Sequence, residues 1–316
     1  MSKIVILESL GIPESLLARL EEPFLAQGHT FTSYEKCTDK DVLVKELSGA
    51  DIAVIANMPF GNEVIREADA LQYIDVAFTG VDHVGLEACK EKGIKVSNAS
   101  GYSNEAVAEL TLGMMLSIAR NMRAIEDRAR HGGTKAGLIG TELRGKTVGI
   151  IGLGKIGTRT AALCHAFGCE ILTHNRTYHE DAASYVEQVS LDVLLAKSDY
   201  VVLHCPLNNE TKGLIDRYAL HKMKKTSVLI NAARGGVVCT NDLASALQDE
   251  TIAYAGIDVF DQEPPLSKEE PLLHCPHCLV TPHAAFATEE SMYQRAEIVF
   301  DNLRAYLDGK QKNIIL

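Results

Sequence analysis

The segment Gly152-Leu153-Gly154-Lys155-Ile156-Gly157 constrains the fold of this chain more than any other feature. It follows the apolar run Val148 to Ile151 and precedes a segment with helical spacing through Thr160 and Leu163. Glycine at these three positions permits a tight turn, a close approach of an anion to the backbone, and close packing of helix on strand. A strand, this loop and a helix N-terminus in that order predict a binding site for a dinucleotide.

The first hundred residues alternate short β-branched runs with segments of helical spacing. Parallel strands need helical crossovers, so this alternation predicts one parallel-sheet domain. The predicted strands are Ile4-Leu7, Ile52-Ala56, Tyr73-Ala77 and Ile94-Val96.

A second alternating series begins near Thr147, after a long apolar stripe from Val107 to Ile125 that predicts one long helix ended by Gly132-Gly133. A final helix is predicted from Thr288 to Leu307, packed on the first domain. The predicted strands of this series are Val148-Ile151, Glu170-Thr173, Tyr200-Leu203, Val228-Asn231, Ile252-Asp258 and Leu279-Thr281.

These elements predict an α/β fold of two Rossmann-like or flavodoxin-like parallel-sheet lobes with a cleft between them. A chain of 316 residues suits two domains at roughly 150 residues each. We expect residues 1–100 and 289–316 to form a substrate domain, and residues 101–288 to form a dinucleotide-binding domain.

Charge and composition argue against several classes of partner. The formal net charge of -11 repels a nucleic acid backbone or an anionic bilayer. The apolar stretch Leu110 to Ala119 is shorter than the ~20 residues needed to span a membrane, and the first residues do not resemble a signal peptide. Eight scattered cysteines suit reduced thiols, so we expect a soluble, cytoplasmic protein.

The end of the strand after the glycine loop predicts which dinucleotide binds. An acidic residue there would accept hydrogen bonds from a free ribose 2′-hydroxyl, but the chain has His174-Asn175-Arg176-Thr177. Arg176 can pair with a 2′-phosphate, and Asn175 and Thr177 can donate hydrogen bonds to it. We therefore expect NADP(H) to be favoured over NAD(H); the alternative is a solvated Arg176, with Asn175 holding a plain ribose.

Arg234, Glu263 and His283 each lie just beyond the end of a predicted strand. Ligands of open parallel sheets bind beyond the carboxyl ends of the strands. We expect these three side chains to meet where the nicotinamide would lie.

Further motifs accompany these residues in a fixed order: His204-Cys205-Pro206-Leu207 with Thr211, Asn231 to Gly236, Asp258 to Pro264, and Thr281-Pro282-His283. With the glycine loop, they make the chain resemble the D-isomer-specific 2-hydroxyacid dehydrogenases, including glyoxylate and hydroxypyruvate reductases, over nearly its whole length. The resemblance implies hydride transfer between a nicotinamide cofactor and C2 of a small 2-oxo or 2-hydroxy acid.

The resemblance also implies a role for each central residue. Arg234 would hold the substrate carboxylate, polarise the 2-oxo group and border the cofactor. His283 would be the acid and base, beside the nicotinamide. Glu263 would hydrogen-bond the imidazole and favour its protonated form.

Other residues are assigned to binding by the same resemblance. Phe78, Thr79 and Gly80, with Val81, would offer backbone amides to the substrate carboxylate, and Tyr102 would border the pocket. Asp258 would meet the nicotinamide carboxamide. The cofactor groove would be lined by His204, Cys205, Pro206, Thr211 and Ala232.

Several alternatives stay open. Cys275-Pro276-His277-Cys278 lacks a second ligand pair at zinc spacing, so we expect no metal site. Within the resemblance, formate or phosphite enzymes share the fold, and a nucleotide-sensing scaffold or corepressor is the alternative function. A 3-phosphoglycerate enzyme of the longer type, which would carry an extra regulatory domain, does not suit a chain of this length. Glyoxylate, hydroxypyruvate and pyruvate are the candidate substrates, and the resemblance implies a homodimer.

Overall fold

The computed structural model describes residues 1–262 and 264–316, so that Glu263 lies outside the described residues. The chain divides into two compact units. Unit 1 comprises Met1–Ser103 with Ala287–Leu316, and unit 2 comprises Asn104–Phe286. None of the helices described is both long and apolar enough to cross a membrane.

Unit 1 is built around a parallel sheet with the strand order β2-β1-β3-β4-β5. Its interior strands are apolar and nearly inaccessible to solvent, as expected of a sheet covered on both faces. Its strands are β1 (Lys3–Ile6), β2 (Thr30–Ser33), β3 (Ile52–Ile55), β4 (Tyr73–Val76) and β5 (Lys95–Asn98), and its helices are α1 (Glu14–Leu25), α2 (Lys40–Glu46), α3 (Asn62–Glu67), α4 (Leu86–Lys92) and α11 (Glu289–Leu307).

Helix α11 joins unit 1 through polar contacts in its core. Thr288 caps the helix, and Asn302 donates one hydrogen bond to Asp75 of β4 and another to the carbonyl of Asn98, both at 3.0 Å. Burial raises the pKa of Asp75 well above its usual value, and the hydrogen bond from Asn302 opposes part of this shift.

The C-terminal tail lies along the outer edge of β5. Residues 313–316 exchange backbone hydrogen bonds with this strand, including Val96 N–H to Leu316 C=O at 3.0 Å and Asn98 N–H to Asn313 C=O at 3.1 Å. Ser97 and Ile314 form an antiparallel bridge. The tail therefore covers an edge that would otherwise expose unpaired backbone groups.

Unit 2 contains a second parallel sheet, with the strand order β12-β11-β10-β9-β6-β7-β8. Its strands are β6 (Thr147–Ile151), β7 (Glu170–His174), β8 (Val186–Gln188), β9 (Tyr200–Leu203), β10 (Val228–Asn231), β11 (Tyr254–Ile257) and β12 (Cys278–Val280), and its helices are α5 (Asn104–Ala119), α6 (Met122–Arg130), α7 (Lys155–Ala166), α8 (Leu191–Lys197), α9 (Arg217–Lys222) and α10 (Thr240–Gln248). Both predicted parallel-sheet lobes are confirmed.

The prediction of one unbroken helix from Val107 to Ile125 is wrong. The segment forms α5 and α6, separated by Asn121 in the left-handed region at φ 52°. The returning chain packs here, because Thr141 N–H donates to the Ala119 carbonyl at 2.8 Å. Asparagine tolerates the left-handed conformation better than most residues, so the break falls on it.

Candidate active site

The glycine loop after β6 has no space for side chains at two of its glycines. Gly152 adopts φ 101°, and a Cβ there would lie 2.6 Å from the Cys205 amide nitrogen. A Cβ on Gly157 would lie 2.0 Å from the Gly152 carbonyl oxygen. Gly154 is exposed, with open space where its Cβ would be. The loop is therefore tight on the protein side and open on the ligand side.

Helix α7 begins directly after Gly154, so its first backbone N–H groups face the exposed side of this loop. Lys155 is exposed at the first turn and Ile156 is half-buried. A helix N-terminus combines free N–H donors with the positive end of the helix dipole. The loop is suited to the pyrophosphate of a dinucleotide.

The segment after β7 carries the residues predicted to distinguish the two nicotinamide cofactors. Asn175 Oδ1 accepts a hydrogen bond from the Leu153 amide, and this bond holds the Asn175 side chain against the glycine loop. Its Nδ2 is buried without a hydrogen-bond partner in the described chain. Arg176 is 78% exposed, and its Nη1 lies 2.9 Å from Oε2 of Glu210. Thr177 is exposed.

The loop after β9 lies beside the glycine loop. His204 Nε2 lies 2.9 Å from Thr160 Oγ1 of α7, and burial lowers the pKa of His204 to about 4, so the ring is neutral. Burial raises the pKa of Cys205 to about 11, which keeps its thiol uncharged. Thr211 Oγ1 donates to the Pro206 carbonyl at 2.6 Å and fixes the shape of the loop.

Arg234 follows β10 on a loop that is braced from both sides. Buried Asn231 donates to the Arg234 carbonyl at 2.9 Å and accepts the Ala233 amide at 3.1 Å. A Cβ on Gly235 would lie 2.0 Å from the Phe260 carbonyl carbon, so the loops after β10 and β11 are in backbone contact. These contacts hold half-buried Arg234 at the carboxyl edge of the sheet.

His283 follows β12 and adopts φ 55°, a left-handed conformation that is costly for a residue other than glycine. Its amide donates to the Asp258 carbonyl at 2.7 Å. Backbone strain of this kind persists only where the surroundings impose it, and it concentrates at functional sites.

The carboxylate of Asp258 supplies much of that constraint. It is fully buried and accepts the Thr281 hydroxyl at 2.5 Å, the Ala284 amide at 2.8 Å and the Ala285 amide at 3.0 Å. Asp258 therefore clamps the loop on both sides of His283. Its predicted contact with the carboxamide stays a prediction.

A small apolar cluster joins three of these loops. Buried Ala232 and Ala285 pack with Val107 of α5, and Ile156 and Phe286 lie against them. The cluster brings Ala232, which precedes the Arg234 loop, and Ala285, which follows His283, to Ile156 in the first turn of α7. Glu263, the third member of the predicted trio, lies outside the described residues.

The predicted substrate residues of unit 1 follow β4 and β5. The Phe78 amide donates to the Val76 carbonyl at 2.7 Å, so that this amide is already engaged. Across the described chain, no hydrogen bond is formed by the amides of Thr79 or Gly80. Asn98 donates to the Thr79 carbonyl at 2.7 Å and holds this loop. The ring of buried Tyr102 lies 6.2 Å from that of Phe78.

Tyr102 also packs on an unusual group, the buried guanidinium of Arg295. Its Cζ lies 5.9 Å from the Tyr102 ring centroid, and Nη2 donates to the Leu10 carbonyl at 2.6 Å. The buried Nε has no hydrogen-bond partner in the described chain. Desolvation lowers the pKa of Arg295.

The Cys275 to Cys278 segment is ordinary packing in this structure. Cys278 is buried in β12, where burial raises its pKa to about 12, and Cys275 Sγ lies 3.3 Å from the Pro271 carbonyl. The described residues contain no group of three histidines, cysteines or acidic residues arranged to hold a metal.

The two parallel sheets and the glycine loop define an α/β protein of the dinucleotide-binding class, and similarity to known proteins gives its family. Residues 112–285 match the model described as "D-isomer specific 2-hydroxyacid dehydrogenase, NAD binding domain". Glycerate dehydrogenase of Methylorubrum extorquens is 34% identical over 297 residues, covering 91% of this chain and 92% of that protein. Glyoxylate reductase of Korarchaeum cryptofilum is 33% identical over 307 residues, covering 95% and 91%.

Two solved structures resemble the whole chain. An acyclic imino acid reductase in complex with NADPH and D-Arg has a TM-score of 0.90 and 26% identity, covering 99% of this chain and 100% of that one. D-lactate dehydrogenase from Aquifex aeolicus, complexed with NAD and lactic acid, has a TM-score of 0.87 and 29% identity, covering 97% and 96%.

The chain belongs to the D-isomer-specific 2-hydroxyacid dehydrogenase family. It is an NAD(P)-linked oxidoreductase of 2-oxo and 2-hydroxy acids, which confirms the predicted reaction class.

The positioning roles of some residues are visible only in the structure. Asn231 and Asn98 each end a strand immediately before a candidate loop, and an asparagine at such a position is a signal for side-chain to backbone bonding. Glu210 carries no local signal, because its partner Arg176 is distant in the chain.

Proposed function

We propose that this enzyme reduces a small 2-oxo acid, with Arg234 binding the carboxylate and polarising the 2-oxo group, and with His283 donating the proton to the carbonyl oxygen. The observation that carries the proposal is the constrained conformation of His283. The left-handed backbone is held by Asp258 on both sides, at the same sheet edge as Arg234. A group held in this way is preorganised for proton transfer.

Arg234 suits the role of carboxylate ligand because a guanidinium presents fixed, paired donors. Its braced backbone limits the movement of that fork, so the 2-oxo group would be oriented as well as bound. Glu263 would hydrogen-bond the imidazole of His283 and favour its protonated form, a role that rests on the family resemblance.

The nicotinamide cofactor supplies the hydride that is added to C2. Gly152, Gly154 and Gly157, with Lys155 and Ile156 at the start of α7, would hold its pyrophosphate. The neutral His204, Cys205, Pro206, Thr211 and Ala232 would line the groove. Arg176, Asn175 and Thr177 support a preference for NADP(H), because none of them is acidic and Arg176 is exposed to solvent.

The residues proposed for the remaining substrate contacts follow β4 and β5, and their assignment rests on the family resemblance. The amides of Thr79 and Gly80 are the donors proposed for the carboxylate, with Phe78 and Tyr102 limiting the size of the pocket. Glyoxylate and hydroxypyruvate are the first substrates to test, since relatives of this chain include a glyoxylate reductase and a hydroxypyruvate reductase. Pyruvate is the third.

The test is the rate of loss of nicotinamide absorbance with each 2-oxo acid and each reduced cofactor. The wild type should turn over at least one acid, and His283→Asn should lower kcat by about 100-fold or more with cofactor affinity unchanged. Asparagine tolerates a positive φ, so this variant keeps the loop conformation. Arg234→Lys should raise KM and lower kcat together. Near-normal turnover by either variant would refute its assigned role.

The proposal extends to a homodimer in the cytoplasm. Met122 of α6 and Ile139 are exposed by 53% and 85%, which suits an interface with a second copy. All eight cysteines, each within the described chain, are free thiols, which suits a reducing compartment. Light scattering of the wild type and of a Met122→Lys/Ile139→Lys variant tests the dimer: a monomeric wild type would exclude it.

A further inference from the structure

The ion pair between Arg176 and Glu210 connects two separate loops of the cofactor edge. Arg176 follows β7 and Glu210 lies in the loop after β9, and these two strands flank β6 on either side. The glycine loop leaves the sheet from β6. The carboxylate and the guanidinium therefore meet next to the loop proposed to hold the cofactor phosphates.

Glu210 is held in place by its own loop. Asn208 Oδ1 accepts the amides of Glu210 at 2.9 Å and Thr211 at 3.1 Å, and Thr211 Oγ1 donates to the Pro206 carbonyl. The backbone that carries the carboxylate is thus fixed. In contrast, the Arg176 guanidinium forms a single hydrogen bond within the described residues, to an exposed partner. Such a pair is weak, so the guanidinium can exchange partners at little cost.

NAD(H) and NADP(H) differ at the 2′ position of the ribose, which is where the Arg176–Glu210 pair would contact the cofactor. A ribose 2′-hydroxyl is a donor that needs an acceptor, and a carboxylate is the usual one. A 2′-phosphate needs cationic donors and is repelled by a carboxylate. The strand end at His174 to Thr177 lacks an acidic residue, and the structure brings one there from another loop.

We propose that Glu210 sets the cofactor specificity of this enzyme: it accepts the 2′-hydroxyl of NAD(H) and opposes NADP(H) by repelling the phosphate and competing for Arg176. This inference rests on the proposed cofactor site. The enzyme would bind NAD(H) as well as the favoured NADP(H), and Glu210 would limit that preference to an extent set by whether Arg176 pairs with Glu210 or with the phosphate.

The test is the dissociation constant of each reduced cofactor, measured by nicotinamide fluorescence without substrate, for the wild type and Glu210→Gln. The variant keeps the size and an acceptor oxygen but removes the charge. NADPH should bind about 5-fold more tightly and NADH about 3-fold more weakly, so that the ratio of the two constants changes by about 15-fold. The change should shrink as salt is added, because both groups are exposed.

Asp192→Asn is the matched control. Asp192 forms an exposed ion pair with Lys222 at 2.7 Å in the same unit, so the variant loses the same charge without touching the cofactor edge. Both dissociation constants should stay at the wild-type values. In an Arg176→Ala background, Glu210→Gln should give a smaller gain for NADPH and the same loss for NADH.

The outcomes separate the two proposals. A wild type that binds neither cofactor overturns the proposed function and this inference with it. A wild type that binds both, with an unchanged ratio in Glu210→Gln, overturns only the role of Glu210. Weaker NADPH binding by Glu210→Gln overturns it as well, because Glu210 would then be holding Arg176 ready for the phosphate.

Discussion

Replacing Asp258 by Asn tests whether its carboxylate positions His283. The side chain oxygens accept one hydroxyl and two amides in a fully buried setting. Asparagine keeps one oxygen but presents an NH2 group to the other partners. If that oxygen stays with Thr281 and Ala284, the Ala285 amide loses its acceptor and faces a second donor.

The expected cost follows from these contacts. An unsatisfied buried N–H costs about 1–3 kcal/mol, and the loss of charge weakens the two bonds that remain. We expect the free energy of unfolding of unit 2 to fall by about 3 kcal/mol. Because the loop around His283 is held in a strained conformation, its release should also displace the imidazole and lower kcat by about 100-fold.

Urea unfolding and steady-state reduction of a 2-oxo acid measure the two effects separately. Asp199→Asn is the control, since its carboxylate accepts the Thr147 amide and the Lys224 ammonium, both at 2.9 Å, at the opposite end of the strands. The control should lose stability but keep its kcat. If Asp258→Asn kept both its stability and its kcat and only bound cofactor less well, the clamp would be refuted and the carboxamide contact would remain.

Three further predictions concern individual contacts. Gly157→Ala would place a Cβ 2.0 Å from the Gly152 carbonyl oxygen, so cofactor affinity should fall at least about tenfold; unchanged affinity would contradict the close packing of this loop. Burial lowers the pKa of His204 from 6.5 to about 4. As the pH falls, the unfolded chain therefore takes up this proton at a higher pH than the folded chain does. The wild type should lose as much as about 3 kcal/mol of stability as the pH falls through this range. His204→Gln should lack this loss in urea titrations near pH 7 and pH 4.5, and an equally steep loss would exclude His204 as its source. Arg295→Met removes a buried, incompletely paired charge and should raise the thermal midpoint, whereas a marked fall would show that the Leu10 bond and the Tyr102 contact outweigh desolvation.

The sequence predicted the buried strands of both sheets because these are short apolar runs that stand out from their surroundings. The strands that it missed, β2 (Thr30–Ser33) and β8 (Val186–Gln188), lie at sheet edges and are partly exposed. An edge strand buries little, so its sequence carries little apolar signal. The break at Asn121 was missed for another reason: apolar spacing continues across it, and tertiary packing decides the local conformation.

The candidate site also combines residues that a local sequence motif reveals with contacts that depend on tertiary packing. Arg234 and His283 could be proposed from the sequence because each follows a strong strand in a recognisable motif. The contacts that hold them, from Asn231 and Asp258, depend on loops meeting in three dimensions. The pairing of Arg176 with Glu210 joins residues on different strands, and no spacing pattern in one sequence encodes it.

The tail along β5 has a practical consequence for handling the protein. Residues 313–316 pair with an outer strand whose backbone would otherwise be a template for another chain. Deleting them would leave that strand free to add a strand from a neighbouring molecule, so the expected defect is concentration-dependent aggregation.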